Sequence, residues 1–180
     1  MGKNNERLTG FLEKQLERTT TWLSFAEAKN AAIVAFNIAL AQICFDSLEK
    51  ANIPAIIYLA LSALAIATFI SLSSFAPKLF AHPTIEPKGL GKKERPINLL
   101  FFGSIAEISD EKELLREIKR QYFQDDSNIV NNQMDTDLGK ELLENSRIAN
   151  RKYKLFNCAL AFDILTIVML VVDYAVPLIS

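Results

Sequence analysis

The sequence predicts an all-α membrane protein with three transmembrane helices, an N-terminal amphipathic helix and a cytoplasmic helical insert between the second and third spans. The strongest observation is that residues 51–77 carry no charge and are mostly Ala, Leu, Ile, Phe and Ser. A helix needs about 20 apolar residues to cross about 30 Å of hydrocarbon, and this run exceeds that length. Two further apolar runs and the distribution of Lys and Arg support the same fold class.

The three predicted spans are residues 30–47, 53–76 and 155–173 of one domain that covers residues 1–180. The first run is short, but Lys29 at its end can snorkel and the bilayer can thin locally. An interfacial helix is the alternative for this run. The second span is rich in Ala and Ser, which let helix backbones approach closely in lipid. We therefore expect a tight bundle or a homo-oligomer.

Cationic residues tend to stay on the cytoplasmic side of short loops, which gives an independent test of this topology. If the N-terminus is inside the cell, residues 1–29 and 78–154 are cytoplasmic. These two segments contain every Lys and Arg except Lys50. The predicted protein is therefore multi-pass, with its N-terminus and the insert in the cytoplasm.

Residues 5–29 are predicted to form the amphipathic helix, because their apolar residues recur at helical spacing. These apolar residues are Leu8, Phe11, Leu12, Leu16, Trp22, Leu23 and Ala26. The helix can lie on the membrane surface or pack against the cytoplasmic insert. Its mixed charge favours packing.

The insert, residues 78–154, begins with a connector rich in Pro and Gly. Residues 89–93 (GLGKK) invite comparison with a phosphate loop but lack its spacing, which favours a solvated positive-inside loop. Asp110 followed by Glu113 indicates a capping box at the start of a helix. A second long helix is predicted to begin near Ser127 and to continue into the third span, because no Pro interrupts it before Pro177.

Charge and motif content argue against several classes of function. The formal net charge is -1 and the basic residues alternate with acids, so we expect no nucleic-acid partner. The single His82, without a metal-ligand cluster or a catalytic triad order, predicts no metal and no catalytic residue. Cys44 and Cys158 are expected at opposite depths of the bilayer, so no disulfide is expected between them.

The most informative polar residue is Asp163, a carboxylate inside the third span. A carboxylate near mid-membrane costs about 3 kcal/mol or more unless it is protonated, paired or facing water. Counted from the basic residues at the cytoplasmic edge, Asn37 and Thr68 lie at a similar depth, so the three residues are predicted to form one polar layer. The layer can act as hydrogen-bonding glue within a bundle, or it can line a water-filled lesion when the helices rearrange.

Three motifs in this order resemble the transmembrane effectors of Pycsar systems, the PycTM family. They are residues 26–30 (AEAKN) entering the first span, residues 98–106 (NLLFFGSIA) after two spans, and residues 145–155 (NSRIANRKYKL) entering the last span. The resemblance implies an antiviral role at the bacterial inner membrane. A partner pyrimidine cyclase would make cyclic CMP or cyclic UMP, and the effector would then impair the membrane and cause abortive infection.

The resemblance also implies cytoplasmic sensing of the cyclic nucleotide by the helical insert, without another cofactor. Such a site needs cations for the cyclic phosphate and an aromatic surface for the base. The candidate ligand-binding residues are Phe101, Phe102, Arg116, Arg120, Tyr122 and Arg151. Two alternatives remain: a membrane scaffold that recruits a soluble signalling enzyme, and an intramembrane enzyme that uses Asp163.

Overall fold

The computed structural model describes residues 2–76, 98–124 and 132–179. Its helices are α1 (Gly2–Leu48), α2 (Pro54–Ser73), α3 (Phe102–Ile105), α4 (Glu111–Ile118) and α5 (Gln133–Ile179), with a π-helical turn at Lys119–Phe123 after α4. All of these elements are helical, as the sequence predicts. The predictions for His82, for residues 89–93 and for the helix start near Ser127 concern residues outside the described ranges.

Within the described residues, three helices are long and apolar enough to cross a membrane, as the sequence predicts. The predicted first and third spans lie inside two continuous helices of 47 residues each, α1 and α5. Residues 5–29 thus belong to the same helix as the first span. The described part of α5 is also unbroken from Gln133 into the third span. The amphipathic role of residues 5–29 and the cytoplasmic position of residues 78–154 stay predictions.

The chain divides into two compact units. We call Met1–Ser24 with Lys78–Arg151 the insert unit, and Phe25–Pro77 with Lys152–Ser180 the span unit. Helices α1 and α5 contribute residues to both.

The insert unit has a core of large aliphatic side chains. Its buried members are Leu8, Leu12, Leu99, Ile105, Ile108, Leu114, Leu115, Ile118, Leu142 and Leu143. Burial of such side chains stabilises a fold in water by roughly 1.5–3 kcal/mol each. Helix α4 begins at the predicted capping residue, because the Asp110 side chain accepts a hydrogen bond of 2.8 Å from the Glu113 N–H.

Polar contacts also join the segments of the insert unit to one another. Arg147 on α5 donates from Nη2 to the backbone oxygens of Ile108 and Ser109, each at 2.9 Å. Thr9 on α1 donates to Oδ1 of the buried Asp135 at 2.6 Å. After the π-helical turn, Gln124 adopts the left-handed conformation with φ of 51°, which ends that segment.

The span unit packs α1, α2 and α5 through small and polar side chains. Two clusters of buried apolar residues form its core. Their buried members are Ile33, Ala67 and Ala159 in one cluster and Cys44, Ile57 and Ala60 in the other. On α1 the buried positions recur at intervals of three and four residues, the spacing of one helix face. The small residues of α2 permit this close approach.

Candidate functional site

The structure brings Asn37 of α1, Thr68 of α2 and Asp163 of α5 together inside the span unit. Asn37 is 2% exposed and Asp163 is 1% exposed. One hydrogen-bond distance of 3.0 Å joins the Asn37 amide to the Thr68 hydroxyl, and another of 3.0 Å joins it to Asp163 Oδ1. The three residues that sequence depth predicts to share a layer are therefore joined, with Asn37 in contact with both Thr68 and Asp163.

The hydrogen-bond network decides which way the Asn37 amide points. When Nδ2 faces Asp163, it donates to Asp163 Oδ1 at 3.0 Å and to the Ile33 carbonyl at 3.1 Å. Oδ1 of Asn37 then accepts from the Thr68 hydroxyl at 3.0 Å. An ionised carboxylate only accepts hydrogen bonds, so an ionised Asp163 selects this orientation.

Neutral groups, not cations, contact Asp163. In the described part of the chain no ion pair reaches this carboxylate, and α2 contains no charged residue. Hydrogen bonds to an ionised group are stronger than bonds between neutral groups, so the Asn37 contact reduces the cost of holding the carboxylate inside the bundle. The layer is therefore an isolated acidic site in an apolar surrounding.

A second buried carboxylate of the span unit, Asp173, caps the start of α2. Its Oδ1 accepts a 2.7 Å hydrogen bond from the Ile53 N–H, and its backbone oxygen accepts one of 3.0 Å from the Asn52 side chain. Sequence reasoning missed this residue. One feature of the sequence indicated that a distant cap was needed. The residue before Pro54 at the start of α2 is Ile53, whose side chain cannot accept a hydrogen bond from the first turn of the helix. The negative charge also suits the positive end of the helix dipole.

Thr166 lies between the two carboxylates on the buried face of α5. Its hydroxyl is 3.3 Å from the Ala60 carbonyl of α2 and 3.0 Å from the Phe162 carbonyl of its own helix. The side chain is fully buried. Together with the polar layer, it shows that α5 turns its polar side chains toward α1 and α2.

Cationic and aromatic side chains meet where α1 and α5 enter the span unit. Lys29 Nζ lies 5.1 Å from the centre of the Tyr153 ring and 5.3 Å from that of Phe156. Lys152 Nζ contacts the Glu27 carboxylate at 2.9 Å and lies 5.6 Å from the centre of the Phe75 ring. Such amphipathic side chains are typical of a membrane–water interface.

The six candidate ligand residues do not form one cluster among the described contacts. The rings of Phe101 and Phe102 are tilted against each other by 50° with centres 4.7 Å apart, and the Trp22 ring centre lies 5.9 Å from that of Phe102. Phe102 is buried, whereas Phe101 is exposed. Gly103 permits this position of the Phe101 ring, because a Cβ on Gly103 would overlap that ring.

Tyr122 belongs to a different aromatic cluster. Its ring centre lies 5.3 Å from that of Phe11, which is 6.0 Å from Phe123. Arg7 adds a cation 6.0 Å from the centre of the Phe123 ring. Sequence reasoning missed Phe123, which directly follows Tyr122. It also missed Phe11 and Arg7, because their contacts with Tyr122 and Phe123 join distant parts of the chain.

The three candidate arginines differ in their surroundings. Arg120 forms a 2.7 Å ion pair with Glu117, one turn earlier. Arg116 and Arg151 are exposed on α4 and α5. Within residues 2–76, 98–124 and 132–179, no group of three or more His, Cys, Asp or Glu side chains could hold a metal ion.

The span-capable helices and their polar interior define an α-helical membrane protein with several spans. The Pycsar effector protein domain, PycTM, matches residues 11–179. The chain therefore belongs to the Pycsar effector family, with a role in antiphage defence, and the resemblance inferred from its motifs is confirmed. No curated protein and no solved structure matches the chain significantly.

Proposed function

We propose that this protein is a non-enzymatic effector that cyclic CMP or cyclic UMP activates to impair the bacterial inner membrane, so that the infected cell dies before phage are released. The family match over residues 11–179 carries the proposal. Three apolar helices with a buried polar layer supply a membrane part suited to a permeability change. The nucleotide would come from a partner pyrimidine cyclase.

Activation requires that the nucleotide bind the membrane-damaging arrangement better than the resting one, because a ligand with equal affinity for both shifts nothing. We place the nucleotide on the insert unit. The cluster of Phe11, Tyr122 and Phe123 offers rings for a pyrimidine base, and Arg7 offers a cation for the cyclic phosphate. Tyr122 is 41% exposed, so its ring is accessible to a ligand.

The membrane lesion would form when copies of the span unit rearrange within a homo-oligomer. In the resting state, the described hydrogen bonds of Asn37, Thr68 and Asp163 join these residues to one another and to backbone carbonyls. When the helices separate, these groups lose their partners and gain stability by binding water. The polar layer thus holds the resting bundle together and becomes part of the wetted surface in the active one.

Dye release from vesicles tests this function. The full chain is reconstituted in phosphatidylethanolamine and phosphatidylglycerol vesicles, and cyclic CMP, cyclic UMP or cyclic AMP is added. We expect release with one cyclic pyrimidine nucleotide and none with cyclic AMP. Absence of release with both pyrimidine nucleotides, when either one binds, would contradict the effector function and favour a scaffold that recruits a soluble enzyme.

Two variants test the placement of the ligand. Tyr122→Ala and Arg7→Gln should each weaken nucleotide binding at least about tenfold, which corresponds to about 1.4 kcal/mol. Arg18→Gln is the matched control, because Arg18 is an exposed arginine of the same helix as Arg7. Unchanged affinity in both variants would move the ligand site elsewhere. Titration calorimetry measures the affinities.

The proposed orientation has its own test. Protease is added to intact spheroplasts, and cleavage is followed between Lys88 and Arg95. We expect protection, because the insert is proposed to be cytoplasmic. Cleavage in intact spheroplasts would invert the topology and remove the proposal of cytoplasmic sensing.

A further inference from the structure

We propose that an apolar surface of the insert unit lies in the headgroup layer of the membrane, at the leaflet where the first span begins. This surface, the interface patch, consists of Trp22 on α1 with Leu100, Phe101 and Phe102. Its partner is lipid and not a second copy of the chain. The inference does not depend on the nucleotide, so it can fail while the proposed function stands.

The interface patch joins two segments that are far apart in the chain. The ring centre of Trp22 lies 5.9 Å from that of Phe102, which lies 4.7 Å from that of Phe101. Trp22, Leu100 and Phe101 are 42%, 42% and 47% exposed, whereas Phe102 is buried. The patch therefore presents two aromatic rings and one aliphatic side chain to its surroundings, and the buried Phe102 ring connects them.

The turn before α3 supports the two exposed side chains with a hydrogen-bonded backbone. Leu99, directly before them, is fully buried in the core of the insert unit. The Asn98 side chain accepts from the Leu100 N–H at 3.0 Å, and the Asn98 carbonyl accepts from the Phe101 N–H at 3.2 Å. The Phe101 carbonyl accepts from the Ser104 N–H at 3.0 Å. Because these backbone groups have partners, the side chains can enter an apolar layer without carrying unpaired backbone donors into it.

Helix α1 gives the depth of Trp22. The helix is continuous over Gly2–Leu48, and Asp46 is its last charged residue. About 30 Å of hydrocarbon takes about 20 helical residues, which counts back from Asp46 to residue 26. Trp22 lies four residues beyond that point, or about 6 Å, and the headgroup layer of one leaflet is about 5–7 Å thick. The length of the first span therefore puts Trp22 at headgroup level.

The charges near this edge of the span have suitable partners. Glu27 pairs with Lys152 at 2.9 Å, and Lys29 lies against aromatic rings from which its ammonium group can snorkel to the interface. No charged residue lies between Arg18 and Glu27. The part of α1 around Trp22 is therefore uncharged, which suits a segment in contact with lipid.

The chemistry of the patch matches the lipid interface. Trp, Phe and Leu are the side chains that enter the boundary between headgroups and acyl chains, and Trp in particular is enriched there. In water the same side chains would keep a large apolar surface hydrated at a cost in free energy. Contact through Phe102 brings Phe101 close to a residue at headgroup level, so lipid is the nearest apolar surface that the patch can meet.

Fluorescence tests the patch without a label, because Trp22 is the only tryptophan in the sequence. The full chain is reconstituted, without nucleotide, in phosphatidylethanolamine and phosphatidylglycerol vesicles. These vesicles contain phospholipids that are brominated either near the headgroup end or near the tail end of their acyl chains. We expect emission at short wavelength, loss of emission mainly with bromines near the headgroup end, and weak quenching by acrylamide from the aqueous phase.

A second probe tests the turn before α3. In a Trp22→Phe background, Phe101→Trp should show the same preference for bromines near the headgroup end. If that variant does not fold, Leu100→Trp takes its place. Met134→Trp in the same background is the matched control, because Met134 is also exposed on the insert unit but lies 20 residues before Lys154 along α5, or about 30 Å. The control should be quenched by acrylamide and not by brominated lipid.

Three results would overturn the proposal. Strong acrylamide quenching of Trp22 or of Phe101→Trp, without loss of emission from brominated lipid, would place the patch in water. Protection from both quenchers would show that protein covers it, as in contact with a second copy. Equal quenching of Met134→Trp by brominated lipid would show that lipid contact is not specific to the patch.

Discussion

The two units fill their cores differently. The core cluster of the insert unit consists of large aliphatic side chains, whereas the two core clusters of the span unit combine Ile with Ala and Cys, and Asn37, Asp163 and Thr166 are also buried in that unit. The surface of the span unit, in contrast, carries large apolar side chains. Phe69 and Ile38, for example, are 75% and 70% exposed. The difference indicates two solvents. Water expels aliphatic surface, but lipid does not, so the span unit is stabilised by close packing and hydrogen bonds.

The largest expected effect lies in the insert unit. Leu115→Ala should lower the free energy of unfolding by about 2–5 kcal/mol, because the side chain is fully buried among other aliphatic residues. Phe69→Ala, which truncates an exposed side chain of α2, should have a much smaller effect. Denaturant unfolding in detergent measures both. Equal effects would mean that the two units do not differ in this way.

The next effect tests close packing in the span unit. Ala60→Leu should destabilise the unit by about 1–3 kcal/mol, because Ala60 is fully buried and its carbonyl lies close to Thr166. Ala65→Leu adds the same side chain to the exposed face of α2 and is the matched control. Thermal unfolding in lipid vesicles reports the difference. If Ala65→Leu alone lowered the thermal stability, the exposed face of α2 would instead be in contact with another copy of the protein.

A smaller effect is expected at the cap of α2. Asp173→Ala removes the acceptor for the Ile53 N–H and should cost about 0.5–2 kcal/mol. Asp173→Asn keeps an acceptor oxygen and should recover part of that loss. Hydrogen exchange at the first turn of α2 measures the effect locally. Unchanged exchange in Asp173→Ala would show that water replaces the carboxylate at no cost.

The smallest effect concerns Gly139 in α5. A Cβ at this position would lie 3.3 Å from Cγ and Cδ2 of Leu115, so the crowding in Gly139→Ala opposes the gain in helix propensity of about 1 kcal/mol. We expect a net change close to zero. In a Leu115→Ala background the crowding is absent, so the same substitution should stabilise the protein. A double-mutant cycle measures this coupling, and additive effects would contradict it.

Some features of the structure were predictable from the sequence and others were not. The three span-capable helices were predictable from length and charge alone, because lipid imposes a minimum apolar length. The cap at Asp110 was predictable because capping is local. The contact from Asp173 to the start of α2 was not, since nothing in the local sequence says which distant carboxylate completes a helix end.

The candidate ligand residues show the same limit. Aromatic and cationic side chains in the insert are visible in the sequence, but their grouping is not. Phe101 and Tyr122 fall into separate clusters, and Tyr122 gains its neighbours Phe11 and Phe123 from helix α1 and from the π-helical turn. Such groupings depend on how helices pack across more than a hundred residues of chain.

By itself, the sequence determined how deep Asn37, Thr68 and Asp163 lie along their helices, because the rise per residue of an α-helix is constant. Only the tertiary structure decided that the three side chains point at one another, because rotation about each helix axis depends on side-chain packing between helices. The depth of a residue follows from its own helix, whereas the direction in which its side chain points depends on how all three helices pack.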